Sequence, residues 1–289
     1  MTIETKPAAP PRSALPARGS LPQAPPKNAP TSGAKVFSIG RVSAPRGRRV
    51  GLYGNGGVGK TSLVDLAPKP VCIDLDDSLP AMEPPLEHIA PVNGVETWDD
   101  LRAVLRDHAL LAPFDTVAID SMTRAQELCE AHVLRTVKTE KGDLVRRLED
   151  YGYGKGLTHV YDTFLPILAD LDALIRAGKN VVLVMHSCTA DVPNPSGENY
   201  IRWEPRMQDP KSGKSSIRLR IREWLDELSF IGHDVAAKNG KATASGARTI
   251  YPVETAFCMA KSRSISEPLC YVCGDNHYWR EIGVIKETE

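Results

Sequence analysis

The sequence predicts an α/β fold: a mostly parallel sheet flanked by helices, with an antiparallel extension near the C-terminus. Three observations carry this. Four short apolar runs, Val50–Tyr53, Val71–Leu75, Phe114–Ile119 and Val181–Met185, are separated by stretches that include helical spacing. Alternation of that kind builds parallel sheets buried on both faces. A glycine-rich turn joins the first run directly to a helix. Beyond Leu228 the helical spacing gives way to strand-like runs and Gly/Asn turns, which add strands at one edge.

With 289 residues, 42% of them hydrophobic and 25% charged, the chain has the composition of a soluble globular protein. The 36 basic and 36 acidic residues cancel, but unevenly: residues 1–50 carry nine Lys/Arg against Glu4, a net +8, leaving 27 basic and 35 acidic residues beyond them. Residues 1–45, rich in Pro and Ala, read as a disordered basic tail, and residues 46–289 as one domain. Arg46, Arg48 and Arg49 precede the first strand; they suit a solvated linker or a basic arm on nucleic acid. Six scattered cysteines suit a reducing compartment. The N-terminus has no apolar leader segment, and Val181–Met185 is far too short to span a bilayer. A cytoplasmic location is the expectation.

Residues Val50–Leu63 give the first strand, turn and helix. Gly54, four residues, then Gly59-Lys60-Thr61 match the phosphate-loop pattern without a mismatch. Gly54, Gly56, Gly57 and Gly59 let the backbone wrap closely round a ligand. Asn55, Val58 and Ser62 complete the cradle of N–H groups at the helix N-terminus. Lys60 is placed for β- and γ-phosphates and the Thr61 hydroxyl for Mg²⁺.

Pro68 and Pro70 end that helix near Ala67. The strand Val71–Leu75 ends in Asp76-Asp77, and a proline-rich loop follows. Thr97 is a good N-cap for a helix in which Trp98, Leu101, Val104, Leu105, His108 and Leu111 share a face. Phe114–Asp120 is the next strand, and Ser121-Met122-Thr123 open a helix to about Arg135. Polar residues 136–158 read as mobile. A helix over His159–Ala177 ends at Gly178. The strand Asn180–His186 leads into an irregular segment, 189–216. Ile217–Leu228 is expected as a helix and Ser229–Gly232 as a strand. Turns at Asn239-Gly240 and Ser245-Gly246 lead to a return strand Arg248–Met259, and Leu269–Cys273 and His277–Ile282 read as short β segments.

The chemistry lies at strand ends. Asp120, closing an apolar strand about sixty residues after the loop, suits a Walker-B acid holding Mg²⁺ through water; capping the next helix is its alternative role. Asp76 is the candidate to orient and deprotonate the attacking water, with loop capping as the alternative. His186 falls near the γ-phosphate if its strand lies between those of the loop and Asp120; otherwise it is a core histidine. Cys270-x-x-Cys273 with His277 suggests zinc, but a structural site needs four ligands and only Asp275 remains in the segment. Thiols on an edge strand fit better. No Asn-Lys-x-Asp base-reading motif of GTPases is present, and the loop has Asn55 where partitioning ATPases carry lysine.

The order GNGGVGKT, CIDLDD, FDTVAIDS, VVLVMHS and TAFCMAKSRS, over roughly residues 46–270, resembles the RecA-type core P-loop ATPases of phages, nucleotide-binding proteins related to recombinases and single-strand annealing proteins. The resemblance implies a RecA-like core, ATP with Mg²⁺, hydrolysis, and action on single-stranded DNA as a homo-oligomer. It implies that Lys261 and Arg263 reach the neighbouring protomer's site, where cations stabilise developing charge. Loops 136–158 and 189–216 match the DNA-contacting positions, with Tyr151, Tyr153, Tyr200 and Trp203 available for base stacking or for packing. Asp76 stands where the family usually has Glu. A nucleotide-dependent switch or partitioning-type ATPase is the alternative.

Overall fold

The computed structural model describes residues 47–238 and 241–286; the expected basic tail and the Asn239-Gly240 turn lie outside the described residues. The elements run β1 (Arg49–Gly54), α1 (Lys60–Asp65), β2 (Pro70–Asp74), β3 (Ala90–Val92), α2 (Trp98–Arg106), β4 (Thr116–Asp120), α3 (Met122–Thr136), α4 (Lys155–Arg176), β5 (Asn180–Val192), β6 (Tyr200–Pro205), α5 (Ile217–Trp224), β7 (Glu227–Lys238), β8 (Lys241–Tyr251), β9 (Leu269–Cys270) and α6 (His277–Glu281).

The sheet order is β3-β2-β4-β5-β1-β7-β8-β9, with β6 paired to the outer half of β5. From β3 through β7 every neighbour is parallel; β8 and β9 are antiparallel. This is the expected α/β architecture with its antiparallel extension. Side chains alternate across the sheet as strand geometry requires. Val71, Ile73, Val117, Ile119, Val181, Leu183 and Met185 join α2–α5 in one core. Val50, Leu52, Cys72, Ala118, Val182 and Val184 face the other way, onto Leu63 and Val64 of α1 and onto Tyr271, Tyr278, Trp279 and Ile282. The C-terminal segment thus helps cover the face that carries the phosphate-loop helix.

Several boundaries differ from expectation, each for a local reason. Helix α2 has the Thr97 cap, with a reciprocal bond to Asp100, but stops at Arg106. There the Asp107 carboxylate accepts from the N–H groups of Ala109 and Leu110 and turns the chain. Helix α4 starts at Lys155, not His159. Segment 189–216, expected to be irregular, holds the end of β5 and all of β6, joined by a turn in which Asn194 accepts from Ser196 N–H and donates to the Glu198 carbonyl. Strand β8 ends at Tyr251, just before Pro252, which has no N–H to donate. His277–Ile282 is helical rather than β: Asp275 accepts from His277 N–H, and Tyr278, Trp279 and Ile282 recur at helical spacing and are buried. The three-residue edge strand β3, centred on Pro91, was not expected.

Candidate active site

The strand order puts β5 between β1 and β4, the condition set for His186. In register, Gly54 pairs with His186, and Asp120 pairs with Asp74 on one side and Val184 on the other. The C-terminal ends of β1, β5, β4 and β2 therefore converge, the place where open α/β sheets bind ligands.

Gly57 and Gly59 both take left-handed backbone, with φ of 75° and 94°. At Gly54 a Cβ would come within 2.3 Å of the Ile231 carbonyl oxygen, so the loop passes β7 too closely for any side chain. Lys60, 7% exposed, donates to the carbonyls of Gly54 (3.0 Å) and Asn55 (2.8 Å) and so lies across the loop mouth. Burial pushes its ammonium below the usual lysine range, while Asp120 and Asp76 pull it back.

The Thr61 hydroxyl donates to Asp120 Oδ2 at 2.6 Å. Asp120 does not cap α3; the neighbouring Ser121 does that, accepting from Arg124 N–H. Asp120 is thereby left facing the loop. Burial raises its carboxyl above the ordinary carboxylate range, and the Thr61 hydroxyl and Lys60 oppose the rise. A buried carboxylate beside a hydroxyl is a hard-oxygen donor pair suited to Mg²⁺, and the glycine-lined cradle suits phosphate. The residues present fit both groups.

His186 Nε2 lies 3.1 Å from Asp76 Oδ2. This hydrogen bond, with smaller help from Ser121, holds Asp76 below the ordinary carboxylate range despite partial burial. Asp76 lies beyond the end of β2, where the chain turns through Asp77 at φ 51°. The loop's stabilising roles fall instead to Asp74, which accepts from Ser78 Oγ and Leu79 N–H. Ser187 donates to Asn55 Oδ1 at 2.5 Å, tying β5 to the loop. A cavity of about 570 Å³ opens beside this cluster, lined by Asp74, Leu79, Pro91, Val95 and Arg124 among others.

Lys261 and Arg263 lie elsewhere. Lys261 forms a backbone bridge with Leu228, which is level with Gly51, three residues below Gly54. Its ammonium donates to the carbonyls of Arg222, Glu223 and Leu225, closing the C-terminal end of α5, where a cation is favourable. Arg263 is 63% exposed, with Asp226 3.4 Å away. Of the four aromatics considered for stacking, Tyr151 donates to the carbonyls of Val133 and Val137, and Trp203 stacks on Phe230. Tyr153 is fully exposed. Cys270 and Cys273 are exposed free thiols. Sequence reasoning missed Ser187, Ser121, Arg248 and Tyr271. Only Ser121 had a motif signal, as a small polar residue just before a helix.

Fold and site together define a P-loop nucleotide-binding domain in which one strand, β5, separates the loop strand β1 from the Asp120 strand β4. Residues 46–264 match the family model described as an AAA domain, and the chain belongs to that family. No curated protein matches it. Among solved structures it is similar to a KaiC-like protein from the hyperthermophilic archaeon Pyrococcus horikoshii, at 14% identity and a TM-score of 0.43, over 80% of this chain and 88% of that one. Among the described residues, no helix is long and apolar enough to cross a membrane.

Proposed function

We propose that the protein is a Mg²⁺-dependent ATPase that acts on single-stranded DNA as a homo-oligomer, in recombination or annealing of the phage type. The observation that carries hydrolysis is the convergence of Thr61–Asp120 and Asp76–His186 at adjoining strand ends. The loop amides and Lys60 bind the β- and γ-phosphates. Thr61 and Asp120 hold Mg²⁺, which when bound neutralises charge developing on the phosphates. Asp76, kept ionised by His186, orients the attacking water and accepts its proton. His186 links that carboxylate to β5, whose Ser187 grips Asn55, so loop and base respond together.

Support for the DNA reading is the exposed cation set Lys138, Lys141, Arg146 and Arg147 beside exposed Tyr153. Support for a shared site is that the Lys261 ammonium is engaged by the α5 carbonyls and Arg263 lies beside Asp226, both away from their own loop. Arg263, being exposed, is the better placed of the two to reach a neighbour; Lys261 must first leave its α5 carbonyls. The packing of Tyr151 and Trp203 favours the second reading, a nucleotide-dependent switch without DNA-strand activity.

The test is ATP turnover with and without single-stranded DNA, alongside solution mass. Turnover stimulated by DNA supports the proposal. Equal rates with no DNA binding sink the DNA reading and leave the switch. Arg263→Ala should abolish turnover while nucleotide binding persists; normal turnover in that variant removes the trans role.

A further inference from the structure

The phosphate loop has an outer side as well as an inner one. Tyr271 donates its hydroxyl to the Gly59 carbonyl at 2.9 Å. Arg248 Nη1 donates to the Val58 carbonyl at 3.1 Å, and its guanidinium lies 4.2 Å from the centre of the Tyr271 ring. Behind them Trp279, fully buried, donates its indole N–H to the Leu63 carbonyl at 2.7 Å. Tyr271 and Trp279 lie beyond residue 264, outside the segment that matches the family model.

A peptide unit is planar, with its carbonyl and N–H pointing in opposite directions. The Val58 carbonyl shares a peptide plane with the Gly59 N–H, and the Gly59 carbonyl shares one with the Lys60 N–H. Gripping those two oxygens from outside fixes two N–H groups on the inside, where the cradle receives phosphate. A cationic donor on a carbonyl also polarises the N–H across the same amide. The fit is close: a Cβ on Gly59 would lie 2.4 Å from the Tyr271 hydroxyl and 2.7 Å from Arg248 Nη1.

We infer that Arg248 and Tyr271 are positioning residues for phosphate binding, a brace supplied by the C-terminal extension that pre-aims the Gly59 and Lys60 amides. The inference rests on the reading of Gly54–Ser62 as the nucleotide site. Burial pushes the Tyr271 phenol up, so it stays a donor throughout the neutral range.

The experiment uses the full chain and measures ADP and inorganic pyrophosphate affinity by calorimetry. Tyr271→Phe keeps the ring beneath Arg248 but removes the donor; Arg248→Met keeps the reach but removes donor and charge. Each should weaken both probes by the same factor, roughly fivefold to tenfold, the size of one hydrogen bond. Arg248→Lys should recover part of the loss, and the ligand-free unfolding midpoint of Tyr271→Phe should stay near that of the parent protein. Unchanged affinity in Tyr271→Phe, or a loss for ADP without one for pyrophosphate, overturns the brace. Lys60→Ala separates the two layers. If it loses binding while Tyr271→Phe does not, only the brace falls; if it binds as the parent does, the nucleotide-site reading falls too. Should Arg248→Met fail to fold, Tyr271→Phe decides alone.

Discussion

Two charged clusters on this protein are built to opposite ends. Around Glu204 of β6, 3% exposed, each carboxylate oxygen has its own guanidinium, Arg202 at 2.7 Å and Arg218 at 2.8 Å. Arg218 also pairs with Asp209, and Arg202 and Arg222 with Glu254. Here charge is matched within the chain, which ties β6 to α5. At the strand ends around the phosphate loop the match is deliberately incomplete. Asp120, 6% exposed, has a threonine hydroxyl as its close partner, and Lys60 makes hydrogen bonds to two carbonyls. Burial pushes both toward their neutral forms. A buried lysine and a buried carboxylate that make no direct ion pair with each other gain by receiving charge from a ligand. The difference separates a fastening from a binding site.

The contrast can be broken in several places. The largest effect expected is structural. Glu204→Ala removes the buried carboxylate shared by Arg202 and Arg218, leaving each with only its more exposed partner, Glu254 or Asp209, and should cost about 3 kcal/mol in chemical denaturation; a loss near zero would mean the network fastens nothing. Next comes Asp120→Asn, which should cut ATP turnover at least about 100-fold, roughly 2.7 kcal/mol. It should not lower ligand-free stability, because a carboxyl that burial disfavours as an anion loses nothing when made neutral. A clear drop in the ligand-free midpoint would show that the carboxylate was already compensated.

His186→Ala sharpens the picture by about 1.4 kcal/mol, a tenfold loss of turnover. Without its hydrogen bond the Asp76 carboxyl climbs back toward 3.8, and the acid limb of the kcat profile moves to higher pH. An unmoved limb would remove Asp76 as the base. The smallest effect is in stability against pH. Asp76, lowered on folding, contributes stability that is present above 3.8 and is lost as pH falls through its folded value. Asp120, raised on folding, acts oppositely: its contribution declines as pH rises from 3.8 through its folded value. Asp120→Asn should therefore flatten the decline on the rising side, and His186→Ala should remove the acid-side gain.

The parts of the fold and site that were legible in the sequence are those set by local rules. The glycine spacing required by backbone approach, the Thr97 cap, and the apolar runs ending in Asp120 and His186 could be read directly. Even the position of His186 followed once one strand order was assumed. What was not legible depends on residues far apart in the chain. The hydrogen bond from Tyr271 to Gly59 spans 212 residues, and that from Arg248 to Val58 spans 190. Neither residue sits in a motif. The hairpin of β5 and β6 escaped because its polar, glycine- and proline-bearing connection looks like loop, and its strands are fixed by pairing rather than by apolar runs. Helix α6 escaped because five residues give too little periodicity to tell a helix from a strand. For Lys261 the resemblance implies a place at the neighbouring protomer's site; that its ammonium meets three carbonyls at the end of α5 depends on where α5 packs.

The sheet's outer margin carries a last consequence. Strand β3 is three residues long, pairs among the described residues with β2 alone and has Pro91 at its centre. A rim that short, interrupted where a donor is missing, gives a passing extended chain almost nothing to zip onto. Copies of the protein are thereby spared edge-to-edge stacking on this flank. On this flank, contact between copies is left to side-chain recognition, which can be specific and reversible, and not to continued β-ladders, which tend to be neither.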